Sequence, residues 1–242
     1  MYGGINMVKA VLFDLDGTLL PMDNDYFTKC YLKLLGKKFY ELGYDGEKAI
    51  KGVWNGLKHM VGNNGTKSNE EAFWKGFDQV MASDLNHDRA QLNTLLLGFY
   101  QNEFHDAKAA TAPSHIAKNI VEKVKQAGHK VILATNPIFP REAVLSRLSW
   151  IDLTQDDFDY ITTYEISHYC KPNPDYYKEI LENCNLQPAE CVMIGNDVKE
   201  DIVPASSLQI PTYLVKDYQI GDESGLDTDA GSLAQVIAYL NI

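Results

Sequence analysis

Several things are scarce in this sequence. Among its 242 residues there are only four cysteines, Cys30, Cys170, Cys184 and Cys191. None forms a Cys-x-x-Cys pair, so a disulfide framework is excluded and a reducing, cytoplasmic setting is expected. No apolar run approaches the roughly 18 residues of a membrane span. The opening segment Met1–Lys9 has no basic stretch followed by an apolar one, so a secretory leader is not expected either. With 17 Gly and 9 Pro the chain is too poor in both for a collagen-like or low-complexity protein. Bases are also short: 22 Lys and Arg face 33 Asp and Glu, a net charge of −11. That balance argues against a nucleic-acid polymer or an anionic membrane surface as partner. An anionic ligand would need a local site.

What is present is a set of short apolar runs: Ala10–Phe13, Lys130–Ala134, Tyr160–Thr163, Cys191–Ile194 and Thr212–Val215. Runs of this length and composition read as strands buried on both faces. Helical patterns lie between them. Ile116, Ile120, Val121 and Val124 keep a helical period that stops at Gly128, and Asn173-Pro174 starts a second helix with proline in its first turn. Val198–Leu208, interrupted at Pro204, and Leu233–Leu240 are further helices. Alternation of this kind predicts an α/β fold, a doubly wound, mostly parallel Rossmann-like sheet.

One strand is separated from the rest. Residues 21–109, between the first run and the second, are helical in pattern, with a capping-box spacing at Ser68-Asn69-Glu70-Glu71 and helical spacing of Leu92, Leu95, Leu96 and Phe99. We therefore expect a core domain of residues 1–20 and 110–242, interrupted by an all-helical module of residues 21–109 hinged near Leu20-Pro21 and Lys108–Pro113. The insert is nearly neutral, with 11 bases and 12 acids, and holds half of the aromatic residues. Most of those should form its core, the rest a partly apolar lid. The late stretch with Asp217, Asp222, Glu223, Asp227 and Asp229 reads as a solvated loop.

The first strand ends in Asp14-Leu15-Asp16-Gly17-Thr18. Two carboxylates at the carboxyl end of a buried strand lie where open α/β sheets bind their ligands. Two like charges so close are costly unless a cation compensates or a pKa rises. This motif resembles the first of the haloacid dehalogenase-like superfamily of hydrolases, and three further motifs follow in order. Thr135 closes a strand in Ala134-Thr135-Asn136-Pro137, Lys171 begins Lys171-Pro172-Asn173-Pro174-Asp175, and Gly195-Asn196-Asp197-Val198-Lys199-Glu200-Asp201 supplies an acidic cluster after a strand.

The resemblance implies a hydrolase in which Asp14 is the nucleophile that forms an aspartyl-phosphate and Asp16 the acid and then the base. It implies Thr135, Asn136 and Lys171 as phosphate-binding residues. It also implies a Mg²⁺ ion held by Asp14, the Asp16 backbone and Asp197, with Asn196 and Asp201 in support. The acid usual directly after the glycine is replaced here by Asn196, so either Asp197 or Asn196 is the ligand; the stronger carboxylate ligand is preferred. An acid at position 16 favours phosphate esters over carbon–halogen bonds. The insert is similar to the family's first class of cap, with Lys58–Lys67 as the candidate substrate loop. The function so implied is a Mg²⁺-dependent phosphatase of a small phosphomonoester. The alternatives are a phosphomutase of the β-phosphoglucomutase type and a non-catalytic binding protein retaining the fold.

Overall fold

Strand β1 (Ala10–Phe13) is the axis of the molecule, and all four of its residues are fully buried. In the computed structural model, which describes residues 8–84 and 86–242, β1 pairs in parallel with β2 (Lys130–Leu133) on one side and β4 (Cys191–Gly195) on the other. Of the opening segment Met1–Lys9, residues Met1–Met7 lie outside those described. Adding β3 (Tyr160–Ile161), β5 (Thr212–Val215) and β6 (Asp229–Gly231) gives a six-stranded sheet of order β3-β2-β1-β4-β5-β6, parallel at every pairing. This is the doubly wound arrangement. Its order reverses between β1 and β4, the place where such sheets open a ligand crevice.

Each face of the sheet is covered because alternate strand residues point to opposite sides. Ala10 and Leu12 pack against Tyr176, Tyr177 and Ile180 of α7 (Pro174–Cys184); Val11 and Phe13 join the larger cluster on the other face. Asn173 caps α7, accepting from Asp175 N at 2.9 Å, with Pro174 in the first turn as the sequence predicts.

Between β1 and β2 the chain forms α1 (Asn24–Glu41), α2 (Gly46–Val61), α3 (Asn69–Met81), α4 (Arg89–Gln101), a 3-10 segment Glu103–Ala110 and α5 (Ala117–Gln126). The capping box is present: Glu71 N donates to Ser68 Oγ at 3.2 Å and Ser68 N to Glu71 Oε2 at 3.1 Å. The chain enters α1 and leaves the 3-10 segment by adjacent threads. Met22 bridges Thr111, and Ala112 N donates to Pro21 O at 2.8 Å.

The structure corrects several expectations. The acidic late stretch is not all loop, since Asp229 begins β6, Asp217 Oδ2 accepts from Leu233 N at 2.7 Å, and Glu223 pairs with Lys216. Thr162 and Thr163 lie beyond β3, where Thr162 Oγ1 hydrogen-bonds Thr135 O at 2.6 Å. Pro204 does not break the segment after β4. A π turn, Val198–Ile202, runs directly into α8 (Val203–Ser207) with Pro204 in the first turn of α8, and the Glu200 carbonyl four residues earlier accepts from Tyr177 OH at 2.9 Å. Lys58–Val61 finish α2 instead of opening a loop. Met60 is buried at the wall of the cavity described below, and Gly65 packs against the Tyr169 ring. No described helix is long and apolar enough to cross a membrane.

Candidate active site

Three strand ends make the site. After β1 come Asp14 and Asp16, after β2 Thr135 and Asn136, and from the end of β4 Gly195, Asn196 and Asp197. Phe13 is in register with Leu133 and Ile194, so these residues emerge at one level. The chain turns sharply after Asp16. Gly17 has φ +84°, and a Cβ there would collide with the Asn196 amide, so both backbone and space demand glycine. Thr18 Oγ1 lies 3.2 Å from Asp14 Oδ2 and 3.0 Å from Asn196 Oδ1, a hydroxyl donor shared between them.

Lys171 closes the far side. Its Nζ donates to Asp14 Oδ1 at 2.7 Å and to Asp201 Oδ1 at 2.6 Å, and only 1% of the side chain is exposed. Burial alone would lower the pKa of this ammonium, but Asp14 and Asp201 reverse that and hold it well above its ordinary value. Asp201 reaches Lys171 by passing over Gly195, where any Cβ would collide with its carboxylate. Its Oδ2 accepts from Asp197 N at 3.0 Å. Burial raises the Asp201 carboxyl, Lys171 pulls it down, and Asp14 raises it again. Two carboxylates thus share one ammonium.

Asn136 ties the motifs together. Lys171 N donates to its Oδ1 at 3.2 Å, and its Nδ2 donates to Glu200 Oε2 at 3.0 Å. Thr135 is buried, and its carbonyl also accepts from Tyr176 OH at 2.9 Å. Asn196 is occupied at both ends, Oδ1 by Thr18 and Nδ2 by the Tyr218 carbonyl at 2.6 Å. Asp197 uses Oδ1 to cap the π turn, accepting from Lys199 N at 2.8 Å and Glu200 N at 3.0 Å. Ile202 N reaches Asp197 O at 3.3 Å, the five-residue span of a π turn, which holds one residue more than an α turn. The turn brings Asp201 back against Gly195.

Sequence reasoning missed Arg147. This residue of α6 (Arg141–Ser149) is fully buried, forms an ion pair with Asp16 Oδ2 and lies over the Phe139 ring 4.3 Å from its centroid. The signal was in the helix: Arg147 follows Ala143 by four and Val144 by three, on the stripe that faces the core. Asp16 Oδ1 is buried with no partner among the described residues. Burial raises the Asp16 carboxyl, Arg147 opposes that, and Asp14 adds to it. Glu200 was missed as well; burial raises its carboxyl, Lys171 lowers it, and Asp197 raises it again. His168 lies outside this cluster, with its Nδ1 2.6 Å from Glu179 Oε1.

The residues fit a hard divalent cation. Five carboxylates, Asp14, Asp16, Asp197, Glu200 and Asp201, line the crevice, and the two cations behind them, Lys171 and Arg147, are buried, so acidic groups outnumber basic ones at the site. Among the described residues no three His, Cys, Asp or Glu side chains make a cage by themselves. Mg²⁺ needs none, since it takes one or two carboxylates and keeps waters or substrate oxygens for its remaining positions.

Above the carboxylates lies a cavity of about 540 Å³, between the strand ends and helices α1–α4. Its walls are mainly aromatic and aliphatic, with Phe27, Tyr31, Trp54, Phe73, Trp74 and Tyr100 among them.

The family model for haloacid dehalogenase-like hydrolases matches residues 8–208. The chain is 28% identical over 240 residues to a phosphoglycolate phosphatase of Vibrio vulnificus, 95% of each chain being covered. It is 24% identical over 213 residues to a glyceraldehyde 3-phosphate phosphatase of Methanothermobacter thermautotrophicus, with 86% of each covered. Among solved structures, a haloacid dehalogenase-like phosphatase from Thermococcus onnurineus superposes with a TM-score of 0.60 at 20% identity, covering 96% of this chain and 98% of that one. A 2-haloacid dehalogenase from Pseudomonas syringae superposes with a TM-score of 0.64 at 16% identity, covering 97% and 99%. The likeness to these two structures is one of fold.

Proposed function

Because this chain belongs to the haloacid dehalogenase-like hydrolases and is an enzyme of the kind that hydrolyses phosphomonoesters, we propose that Asp14 is its nucleophile and Asp16 its acid and base. In this reading a Mg²⁺-dependent phosphatase works through an aspartyl-phosphate. The observation that carries it is the placement of Asp14. One carboxylate oxygen is held by a buried ammonium and the other by the Thr18 hydroxyl, which fixes the group at the floor of the cavity.

Asp14 attacks phosphorus and the ester oxygen departs. Positioning and charge compensation are most of what this step requires. Lys171 offsets the charge of nucleophile and phosphate, while the Thr135 side chain and the Asn136 backbone N–H bind phosphoryl oxygens. The proton for the leaving oxygen sits on Asp16 Oδ1, the atom with no protein partner, because Oδ2 is engaged by Arg147. With that proton gone, the same oxygen takes one from the water that attacks the phospho-enzyme.

Asp14, the Asp16 carbonyl and Asp197 would hold Mg²⁺, with Asp201 and Asn196 in support, and its charge would offset that of the carboxylates and phosphate. Asp197 is favoured over Asn196, whose amide is used at both ends. The helices of residues 21–109 act as the cap, keeping bulk water from the phospho-enzyme. The test is release of inorganic phosphate from p-nitrophenyl phosphate with Mg²⁺ and its loss in Asp14→Asn. No release from that ester or from a broad phosphomonoester panel would overturn the reading, and isomerisation of a sugar phosphate without phosphate release would replace it with a mutase.

A further inference from the structure

The wall of the cavity has a composition that phosphate chemistry does not call for. At its floor the site is charged, yet the volume above is far larger than a two-carbon acid needs and is enclosed by aromatic rings. Among the described residues no Lys, Arg or His lines it. The two cations nearby belong to the floor: Lys171 lies behind Asp14 and Asp201, and Arg147 behind Asp16, each almost fully buried. Arg89 lies against the Trp74 ring, 3.7 Å from its centroid, but is paired with Asp78 and does not line the cavity. The ionisable groups of the upper wall are acids, Glu70, Glu142 and Glu165. Its neutral polar groups include Asn24 and Asn93, whose amide oxygens are buried without a partner.

From this wall we infer that the leaving group is an uncharged, ring-bearing alcohol, and that esters carrying a second anion are poor substrates. The inference rests on the phosphatase reading above and specifies its substrate class. A carboxylate beside the ester would be taken from water into an apolar wall with no cation to meet it and three acids near it, a cost that binding cannot recover. A planar ring there gains contact with Tyr31, Trp74 and Tyr100, and hydroxyl or N–H groups on it find acceptors at Asn24 and Asn93. This separates the chain from those relatives whose names specify phosphoglycolate.

Benzyl phosphate and phosphoglycolate are a matched pair, both primary esters in which a CH2–O–P group carries either a phenyl ring or a carboxylate. With Mg²⁺, kcat/KM for benzyl phosphate is expected to exceed that for phosphoglycolate by about 100-fold. A ratio under about tenfold overturns the inference while leaving the phosphatase intact, since phosphate would still be released. Calorimetric binding to the Asp14→Asn protein reads the preference without turnover. Tighter binding of benzyl phosphate there supports the inference even if wild-type enzyme released no phosphate, an outcome that would sink the catalytic reading alone. Tighter binding of phosphoglycolate overturns the inference whatever the turnover. Leu97→Arg, which puts a guanidinium into the wall, is expected to shrink the kcat/KM ratio by about tenfold; an unchanged ratio counts against the cation-poor wall as its cause.

Discussion

Arg147, fully buried on α6, holds one oxygen of Asp16 and leaves the other unpaired. Burial raises the pKa of that carboxyl and Arg147 opposes the rise, so the group proposed as acid and then base is held between opposing influences.

Replacing Arg147 with methionine removes the influence that lowers the Asp16 pKa. The ascending limb of the kcat–pH profile should then move to higher pH by about one unit, and kcat at neutral pH should fall about 10- to 100-fold. Burst release of the alcohol and steady-state release of phosphate across pH would show it. An unmoved limb would mean that Arg147 serves packing alone.

Asp14→Asn should reduce turnover by at least about 1000-fold. Its thermal midpoint should stay close to that of the wild type, because Lys171 keeps Asp201 as partner and one carboxylate repulsion disappears. Differential scanning calorimetry beside the activity assay checks both halves. A large loss of stability would show that Asp14 has a structural part as well.

Metal-free protein should be more stable in mild acid than at neutral pH. Asp16, Glu200 and Asp201 all have raised carboxyl pKa values, so the folded chain binds more protons than the unfolded one, and stability falls as pH rises. For Asp201 the window runs from the ordinary 3.8 to about 7. Thermal midpoints in chelator at about pH 5.5 and about pH 7.5 should differ in that direction, and saturating Mg²⁺ should narrow the gap. A midpoint that rises with pH would contradict the charge balance described for the site.

Asp197→Asn should raise the Mg²⁺ concentration for half-maximal activity by about tenfold or more. Asn196→Ala should act chiefly on stability, since it removes acceptors and donors for Thr18 and Tyr218. Mg²⁺ titrations of activity, with melting curves of both variants, separate the two. The reverse pattern would make Asn196 the ligand.

Much of this was legible in the sequence, and for identifiable reasons. The apolar run Ala10–Phe13 reads as a strand because it is buried on both faces, and Ser68 and Asn173 announce helix starts through side-chain caps that act within three residues. Such signals are local. Edge strand β6 is three residues of Asp-Ala-Gly, paired on one side and largely exposed, so no apolar pattern marks it. The Arg147 pairing joins residues 131 positions apart. Its helix stripe shows that Arg147 faces inward without saying what it meets. The cavity was half legible: aromatic residues in the insert were visible, but that no cation among the described residues lines a shared wall depends on how four helices assemble.

The adjacent threads at Met22 and Thr111 bear on folding speed. β1 and β2 are neighbours in the sheet but distant in sequence, a separation that would ordinarily make their pairing slow. Once the helices between them have gathered, the bridge from Met22 to Thr111 and the bond from Ala112 to Pro21 bring the two ends of that long excursion together. The search for strand pairing that remains spans residues 14–21 and 112–129 in place of the whole excursion, so less closure entropy is left to overcome. The insert is large in residues and small in topological cost.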